Sequence, residues 1–143
     1  MTRWIMGPFK ARKRMAVLGA IVALPALGLA APSLAQASLA MLASLDSGAW
    51  EVRFRDGSPS RKLCVRSGRE FIQLRHTESG CNRFVVEDGK DEVTVQYTCP
   101  GNGYGRTNIR KEGSGLVQID SQGIVDGRPF QFSAEARRTD TCK

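Results

Sequence analysis

Apolar and polar residues alternate along most of the chain from Trp50 onward, and this period of two constrains the fold more than any other feature. Successive side chains of a β-strand point to opposite faces, so alternation predicts strands with one buried and one solvated face. The pattern is strictest near the C-terminus, where one face carries Phe130, Phe132, Ala134 and Ala136. A parallel α/β sheet, whose strands are buried on both faces, is therefore excluded.

Seven such segments are separated by short turn sequences rich in glycine, proline, aspartate and serine. They lie at residues 50–55, 61–65, 83–87, 93–99, 106–111, 116–121 and 128–138. We therefore expect a mainly β fold, an antiparallel meander curled into a small barrel or half-barrel. One short helix of about two turns is predicted after the second strand, because Ser67 and Glu70 have capping-box spacing before Phe71.

The first 37 residues have the three parts of a secretory signal peptide. A basic stretch over residues 3–14 precedes an apolar run over 15–31, and small residues follow at Ala35 and Ala37. Pro25 interrupts the apolar run, which is shorter than the roughly 20 residues of a membrane-spanning helix. We therefore expect a signal helix that is cleaved after Ala37 or Ala35, rather than an uncleaved membrane anchor.

Cleavage divides the chain into three parts with different expected roles. Residues 1–37 are the signal peptide, 38–47 form a short N-terminal segment, and 48–143 form a single disulfide-tied β domain. The expected location is the periplasm or the extracellular space, with no stable membrane span after cleavage.

The net charge of +7 belongs mostly to the predicted signal peptide. Five of the 21 basic residues and none of the 14 acidic residues lie in residues 1–37, which leaves a net charge of +2 on the remainder. A domain so close to neutral lacks the strongly basic surface that nucleic-acid binding requires. We expect no nucleic-acid partner.

All four cysteines lie in the predicted mature part, at Cys64, Cys81, Cys99 and Cys142. Four cysteines in an exported domain indicate two disulfides, with three possible pairings. We expect Cys64–Cys81, closing the helical excursion, and Cys99–Cys142, tying the C-terminus to the sheet. A metal site or redox dithiol is the alternative, but no two cysteines are separated by only two residues. The single histidine, His76, is expected to be exposed in the helix without a partner ligand.

Several short motifs together resemble a known family. They are the run Gly48–Val52, cysteines at 64 and 81, the run Tyr97–Cys99, and Arg137-Arg138 followed by Cys142. The chain is similar in these to the small secreted family catalogued as domain of unknown function 3617. The resemblance implies an exported protein of Gram-negative bacteria and no particular activity. The chain departs from the family in its first loop, Asp56–Ser60, which is short and is not the usual methionine-rich and glycine-rich loop.

Three patterns resemble catalytic or ligand-binding motifs but lack the required context. The glycines of Gly101–Gly105 precede a predicted strand, whereas a phosphate-binding loop precedes a helix, so Tyr104 is expected at a hairpin tip. Ser67 and Ser79 flank His76 without an orienting group for nucleophilic catalysis. The third pattern is an acidic turn between the third and fourth predicted strands. Its members are Asp88, Asp91 and Glu92, which lack the alternating ligands of a calcium loop.

Outward-facing basic and aromatic residues form the only candidate contact surface. They are Arg53, Arg55, Tyr104, Arg106 and Arg110, with Arg137 beside them. Aligned arginines would suit anionic lipid headgroups, polysaccharide phosphates or an acidic protein. The alternative is ordinary surface charge balanced across strands by Glu51, Glu112 and Glu135.

These observations favour a non-catalytic envelope binding module over an enzyme. Such a module would hold a small apolar or anionic ligand behind Trp50, Phe54, Phe130 and Phe132, or recognise a surface with its loops. A protein-interaction or inhibitor module with an envelope protein as partner is the alternative, because residues 97–99 loosely resemble lysozyme inhibitors. We expect no catalytic residues, no metal and no cofactor.

Overall fold

The computed structural model describes residues 38–143, which form one antiparallel sheet of seven strands and one short α-helix. The predicted signal peptide and its cleavage sites lie outside the described residues. The elements, in chain order, are α1 (Ala40–Ala43), β1 (Gly48–Phe54), β2 (Arg61–Val65), β3 (Asn82–Asp88), β4 (Glu92–Cys99), β5 (Gly103–Gly113), β6 (Leu116–Val125) and β7 (Arg128–Asp140). The mainly β, antiparallel prediction is confirmed.

The strand order is β2-β1-β7-β6-β5-β4-β3, and all neighbouring pairs are antiparallel. Strands β3 to β7 follow one another as a meander, and β1 returns to pair with β7. The sheet is open, with β2 and β3 at its two edges, so the closed-barrel alternative is wrong. Residues 66–80 lie between the edges and contact both, through Arg61 to the Leu74 carbonyl and Arg83 to the Gln73 side chain.

The helix predicted after the second strand is a single 3₁₀ turn, Arg69–Phe71, shorter than expected. Glu70 does reach back to the Ser67 backbone N–H, but Ser67 does not cap the turn. Gly68 precedes the turn with φ of 74°, and a Cβ there would lie 2.6 Å from the Leu42 carbonyl oxygen. Close packing of this segment against α1 therefore replaces the regular helical start.

The inward face of the sheet packs around Trp50, which is fully buried. Its ring meets Phe71 edge-on at 5.2 Å, and its indole N–H donates to the Asp46 carbonyl at 2.9 Å. Met41 and Leu42 of α1 are buried in the same core. The core thus joins the sheet to α1 and to the segment between β2 and β3, which contributes Phe71.

The disulfides are Cys64–Cys142 and Cys81–Cys99, so the predicted pairing is wrong. The predicted Cys64–Cys81 bond fails because β2 and β3, although consecutive in the chain, are opposite edges of the sheet. Asn82 pairs with Thr98, which places Cys81 opposite Cys99 with a Cα–Cα distance of 4.2 Å. Two bonds nevertheless indicate an oxidising location outside the cytoplasm. Across residues 38–143, no helix is long and apolar enough to cross a membrane.

Candidate functional site

Two cross-strand rows of exposed side chains lie side by side on the outer face of the sheet. Because directly paired residues of neighbouring strands point to the same face, the register defines both rows. The first row, from β3 to β7, is Phe84, Gln96, Arg106, Gln122 and Gln131. The second is Asn82, Thr98, Tyr104, Ile124 and Pro129. We call these ten residues the amide–aromatic surface.

This surface exposes large apolar side chains. Phe84 is 71% exposed and Tyr104 is 47% exposed. On β4 and β5 most residues that alternate with this surface face inward and are buried. Phe84 of β3 pairs directly with the outward-facing Gln96, so the register gives its outward direction. Two exposed aromatic rings on one face, with a single strand between their own strands, are typical of a contact surface.

A groove of about 670 Å³ runs over the surface between β4 and β7. Tyr104, Ile124 and Pro129 contribute apolar walls, and Gln96, Gln122 and Gln131 contribute amides. A smaller groove of about 170 Å³ adjoins it and shares Arg106 with it. The groove is therefore amphipathic and wide enough for a chain-like ligand.

The amide–aromatic surface carries a single charge, that of Arg106. This guanidinium forms no ion pair with any residue in 38–143. Gln96, Gln122 and Gln131 likewise make no side-chain hydrogen bonds within that part of the chain, so their donors and acceptors face solvent. A charge-poor, aromatic-containing patch has the composition of an interface core.

The remaining predicted arginines lie toward the other end of the outer face. Arg53 pairs with Glu51 at 2.8 Å, and Arg110 pairs with Glu112 at 3.6 Å. Arg55 donates to the Gln118 side chain at 2.6 Å. Arg137 behaves like them, at 3.3 Å from Glu135. The structure thus brings Tyr104 and Arg106 together on one strand. The ion pairs of the other arginines use the three expected glutamates, but each runs along a single strand and not across strands.

Tyr104 belongs to a strand, not to a hairpin tip. Strand β5 begins at Gly103, directly after the glycine loop, and Tyr104 pairs with Thr98 and Ile124. The exposure expected of Tyr104 is present, but its position is set by the sheet rather than by a loop.

Packed side chains occupy the interior where an apolar ligand was considered. Phe54 and Phe132 meet edge-on at 5.3 Å, and Phe130 stacks on Phe132 at 6.2 Å. The Arg75 guanidinium covers both Phe54 and Phe132, at 5.5 and 5.2 Å from the ring centroids. Trp50 packs on Phe71, so all four aromatic side chains contact other rings. The outer face of the sheet is therefore the better candidate for a ligand site.

His76 is fully buried, so its predicted exposure is wrong. Its segment folds over the inner face of the sheet, where Nδ1 lies 3.1 Å from the Tyr97 hydroxyl. Burial raises the pKa of Tyr97 to about 12. Nε2 of His76 has no hydrogen-bond partner within the described part of the chain. Neither Ser67 nor Ser79 is hydrogen-bonded to this imidazole in residues 38–143, so the flanking serines do not form a nucleophile–base pair with it.

Within residues 38–143, one group of side chains has the spacing of metal ligands: His76, Glu78 and Cys99. Their ligand atoms lie within 4.8 Å of one another. The Cys99 sulfur is bonded to Cys81 and is not a thiolate, and Glu78 accepts a hydrogen bond from Asn102 at 2.6 Å. In the acidic turn, Asp88 accepts from the Leu39 N–H, and Glu92 accepts from Asn108. The carboxylates of Glu78, Asp88 and Glu92 thus have protein partners.

The glutamines of the surface were missed from the sequence because an isolated glutamine carries no signal. Hairpin geometry could have found two of them. Asp126 and Gly127 both have positive φ, which is the two-residue turn that the Asp-Gly pair favours. Counting back from that turn places Gln122 opposite Gln131.

No known protein family, no curated protein and no solved structure matches this chain.

Proposed function

We propose that this protein is a non-catalytic binding module of the periplasm or cell envelope, which binds carbohydrate chains on its amide–aromatic surface. The observation that carries the proposal is the five-strand row of Phe84, Gln96, Arg106, Gln122 and Gln131, exposed and nearly free of charge. The same proposal includes export by the N-terminal signal peptide, which the two disulfides support. It also includes membership of the family that the chain resembles.

The hydrogen-bonding groups of the surface suit hydroxyl ligands. A sugar hydroxyl both donates and accepts, and a glutamine amide offers two donors and a carbonyl acceptor. Three such amides, with Arg106 between them, present alternating donors and acceptors without a strong charge of either sign. Neutral, hydroxyl-rich ligands lose little by leaving water for such a surface, because each lost hydrogen bond is replaced.

The aromatic side chains supply the apolar part of the contact. Sugar rings expose C–H groups on their faces, and a tyrosine or phenylalanine ring gives them a rigid, flat partner at low entropic cost. Strands lie about 4.8 Å apart, so the row from Phe84 to Gln131 spans roughly 19 Å. That length exceeds a single sugar ring and fits a segment of a polymer.

The inhibitor alternative has lost the residues on which it depended. Tyr97 and Cys99 are buried in the core, and only Thr98 of that motif is exposed. A protein occupant of the amide–aromatic surface is therefore treated as one outcome of the test.

The test is retention of the disulfide-bonded protein on insoluble polysaccharides and peptidoglycan. Tyr104→Ala and Gln122→Ala are compared with Arg110→Ala, which lies on the same strand and face as Tyr104 but outside the surface. We expect each of the first two variants to weaken retention about 3- to 10-fold, as loss of one hydrogen bond or ring contact implies. Equal retention of all three variants, or slowed lysozyme turnover without glycan binding, contradicts the proposal.

A further inference from the structure

A second cleft, separate from the amide–aromatic surface, opens between the two edges of the sheet. Its volume is about 490 Å³, and residues 66–80 form its floor. Arg61 of β2, Arg83 of β3 and Arg69 of the 3₁₀ turn all line it. We call it the edge cleft. Three arginines from three separate segments of the chain thus line one concave site.

Each of the three arginines is held by one hydrogen bond. Arg61 donates to the Leu74 carbonyl at 2.7 Å, and Arg83 donates to the Gln73 side chain at 2.8 Å. Arg69 donates to the Ser38 carbonyl at 3.4 Å. A guanidinium has five N–H groups, so most donors of each side chain remain available. Each hydrogen bond orients its arginine and leaves most of the guanidinium N–H groups free to bind a ligand.

No carboxylate neutralises these arginines within residues 38–143. Glu70 also lines the cleft, but its carboxylate accepts from the backbone N–H groups of Arg66 and Ser67 at 3.0 and 3.3 Å. Arg53 and Arg110 of the outer face differ from these three, since each has a glutamate partner. The edge cleft therefore keeps a formal charge of about +2 from its lining groups.

Protection of sheet edges explains only part of this arrangement. Inward-pointing charges on edge strands prevent pairing with another chain, and Arg61 and Arg83 fit that role. Arg69 does not, because it lies on the 3₁₀ turn rather than on an edge strand. Edge protection also gives no reason why none of the three forms an ion pair within residues 38–143.

We propose that the edge cleft binds a phosphate group. A phosphate carries up to two negative charges on several oxygens, which suits several guanidiniums better than a single carboxylate does. A free phosphate and the phosphate of a lipid headgroup present the same oxygens to the cleft. This site goes beyond the proposed function, and its residues do not overlap the amide–aromatic surface, so either can fail alone.

The test measures binding of inorganic phosphate and glycerol phosphate to the full disulfide-bonded protein by titration calorimetry. Sedimentation with phosphatidylglycerol vesicles, against phosphatidylcholine vesicles, distinguishes a headgroup from a free phosphate. Arg69→Gln is the main variant because its hydrogen bond is the longest of the three, and Arg83→Gln is the second. Arg110→Gln is the matched control on the outer face, and melting temperature verifies that each variant folds.

We expect roughly tenfold weaker binding for each cleft variant and no change for Arg110→Gln, as loss of one charge-assisted hydrogen bond implies. Binding of the soluble phosphates alone, or of phosphatidylglycerol vesicles, supports the site and identifies the source. The proposal is overturned if none of the three probes binds, or if Arg110→Gln weakens binding as much as Arg69→Gln does.

Discussion

Removal of the Cys64–Cys142 disulfide is expected to cost the domain most of its stability. The bond closes a loop of 78 residues. In the chain-entropy account of disulfides, a loop of that length restricts the unfolded state by about 4.5 kcal/mol at 25 °C. Domains of this size are stable by about 5–15 kcal/mol, so the double variant Cys64→Ala/Cys142→Ala lies near the threshold of folding.

The structure makes this variant a clean measurement of the cross-link. Both cysteines are exposed, so alanine at either position leaves no buried void. The comparison variant is Cys81→Ala/Cys99→Ala, whose loop of 18 residues corresponds to about 3.2 kcal/mol. That variant also removes the buried sulfur of Cys99, which adds a packing loss to the entropic one.

The assay is equilibrium unfolding in urea, monitored by circular dichroism. Peptide mapping of the parent protein without reduction gives the disulfide pairing. We expect the mapping to join Cys64 to Cys142 and Cys81 to Cys99, and the first variant to lose about 4.5 kcal/mol. A peptide joining Cys64 to Cys81, or a loss below about 1 kcal/mol, refutes the strand order on which the reasoning rests.

Three further outcomes are expected. The free energy of unfolding falls by roughly 3 kcal/mol between pH 10 and pH 12. Tyr97 of the unfolded chain loses its proton near its ordinary pKa of 10.0, whereas burial raises its pKa in the folded protein to about 12. Denaturation of Tyr97→Phe across that range shows no such fall. Gly105→Ala places a Cβ 2.4 Å from the Tyr97 hydroxyl and costs about 1–3 kcal/mol in thermal unfolding, whereas Gly113→Ala, on the same strand with open space, is nearly neutral. Phe84→Ala changes the melting temperature little but weakens glycan retention, because this ring is 71% exposed.

The strands were predictable from the sequence because alternation is a local property. Trp50 and Phe132 were assigned to the buried face from their neighbours alone, and both are in the core. The Asp126-Gly127 turn was predictable for the same reason, since only two residues define it. Such local signals fix neither the order of strands nor the contacts between distant segments.

The disulfides and His76 depend on those distant contacts. Cys64 pairs with Cys142 because β1 lies between β2 and β7, and no local pattern reveals that insertion. His76 is buried because its whole segment covers the gap between the sheet edges. Arg61 and Arg83 were passed over for the same reason, since the cleft that they share exists only once both edges are in place.

The candidate surface was predictable in part. Tyr104 and Arg106 were singled out as exposed residues, and both belong to the amide–aromatic surface. The amides joined them only through the pairing register, which places Gln96 and Gln122 on either side of Arg106.

Backbone amide shifts in nuclear magnetic resonance spectra, recorded during titration with a soluble oligosaccharide that the protein retains, test the central proposal most directly. We expect the shifts to cluster along the outer face of β4 to β7, at Gln96, Arg106, Gln122 and Gln131, and to need about 3- to 10-fold more oligosaccharide in Tyr104→Ala. Saturating oligosaccharide that moves none of these signals, or moves only those of the edge cleft, contradicts the assignment of the amide–aromatic surface as the carbohydrate site.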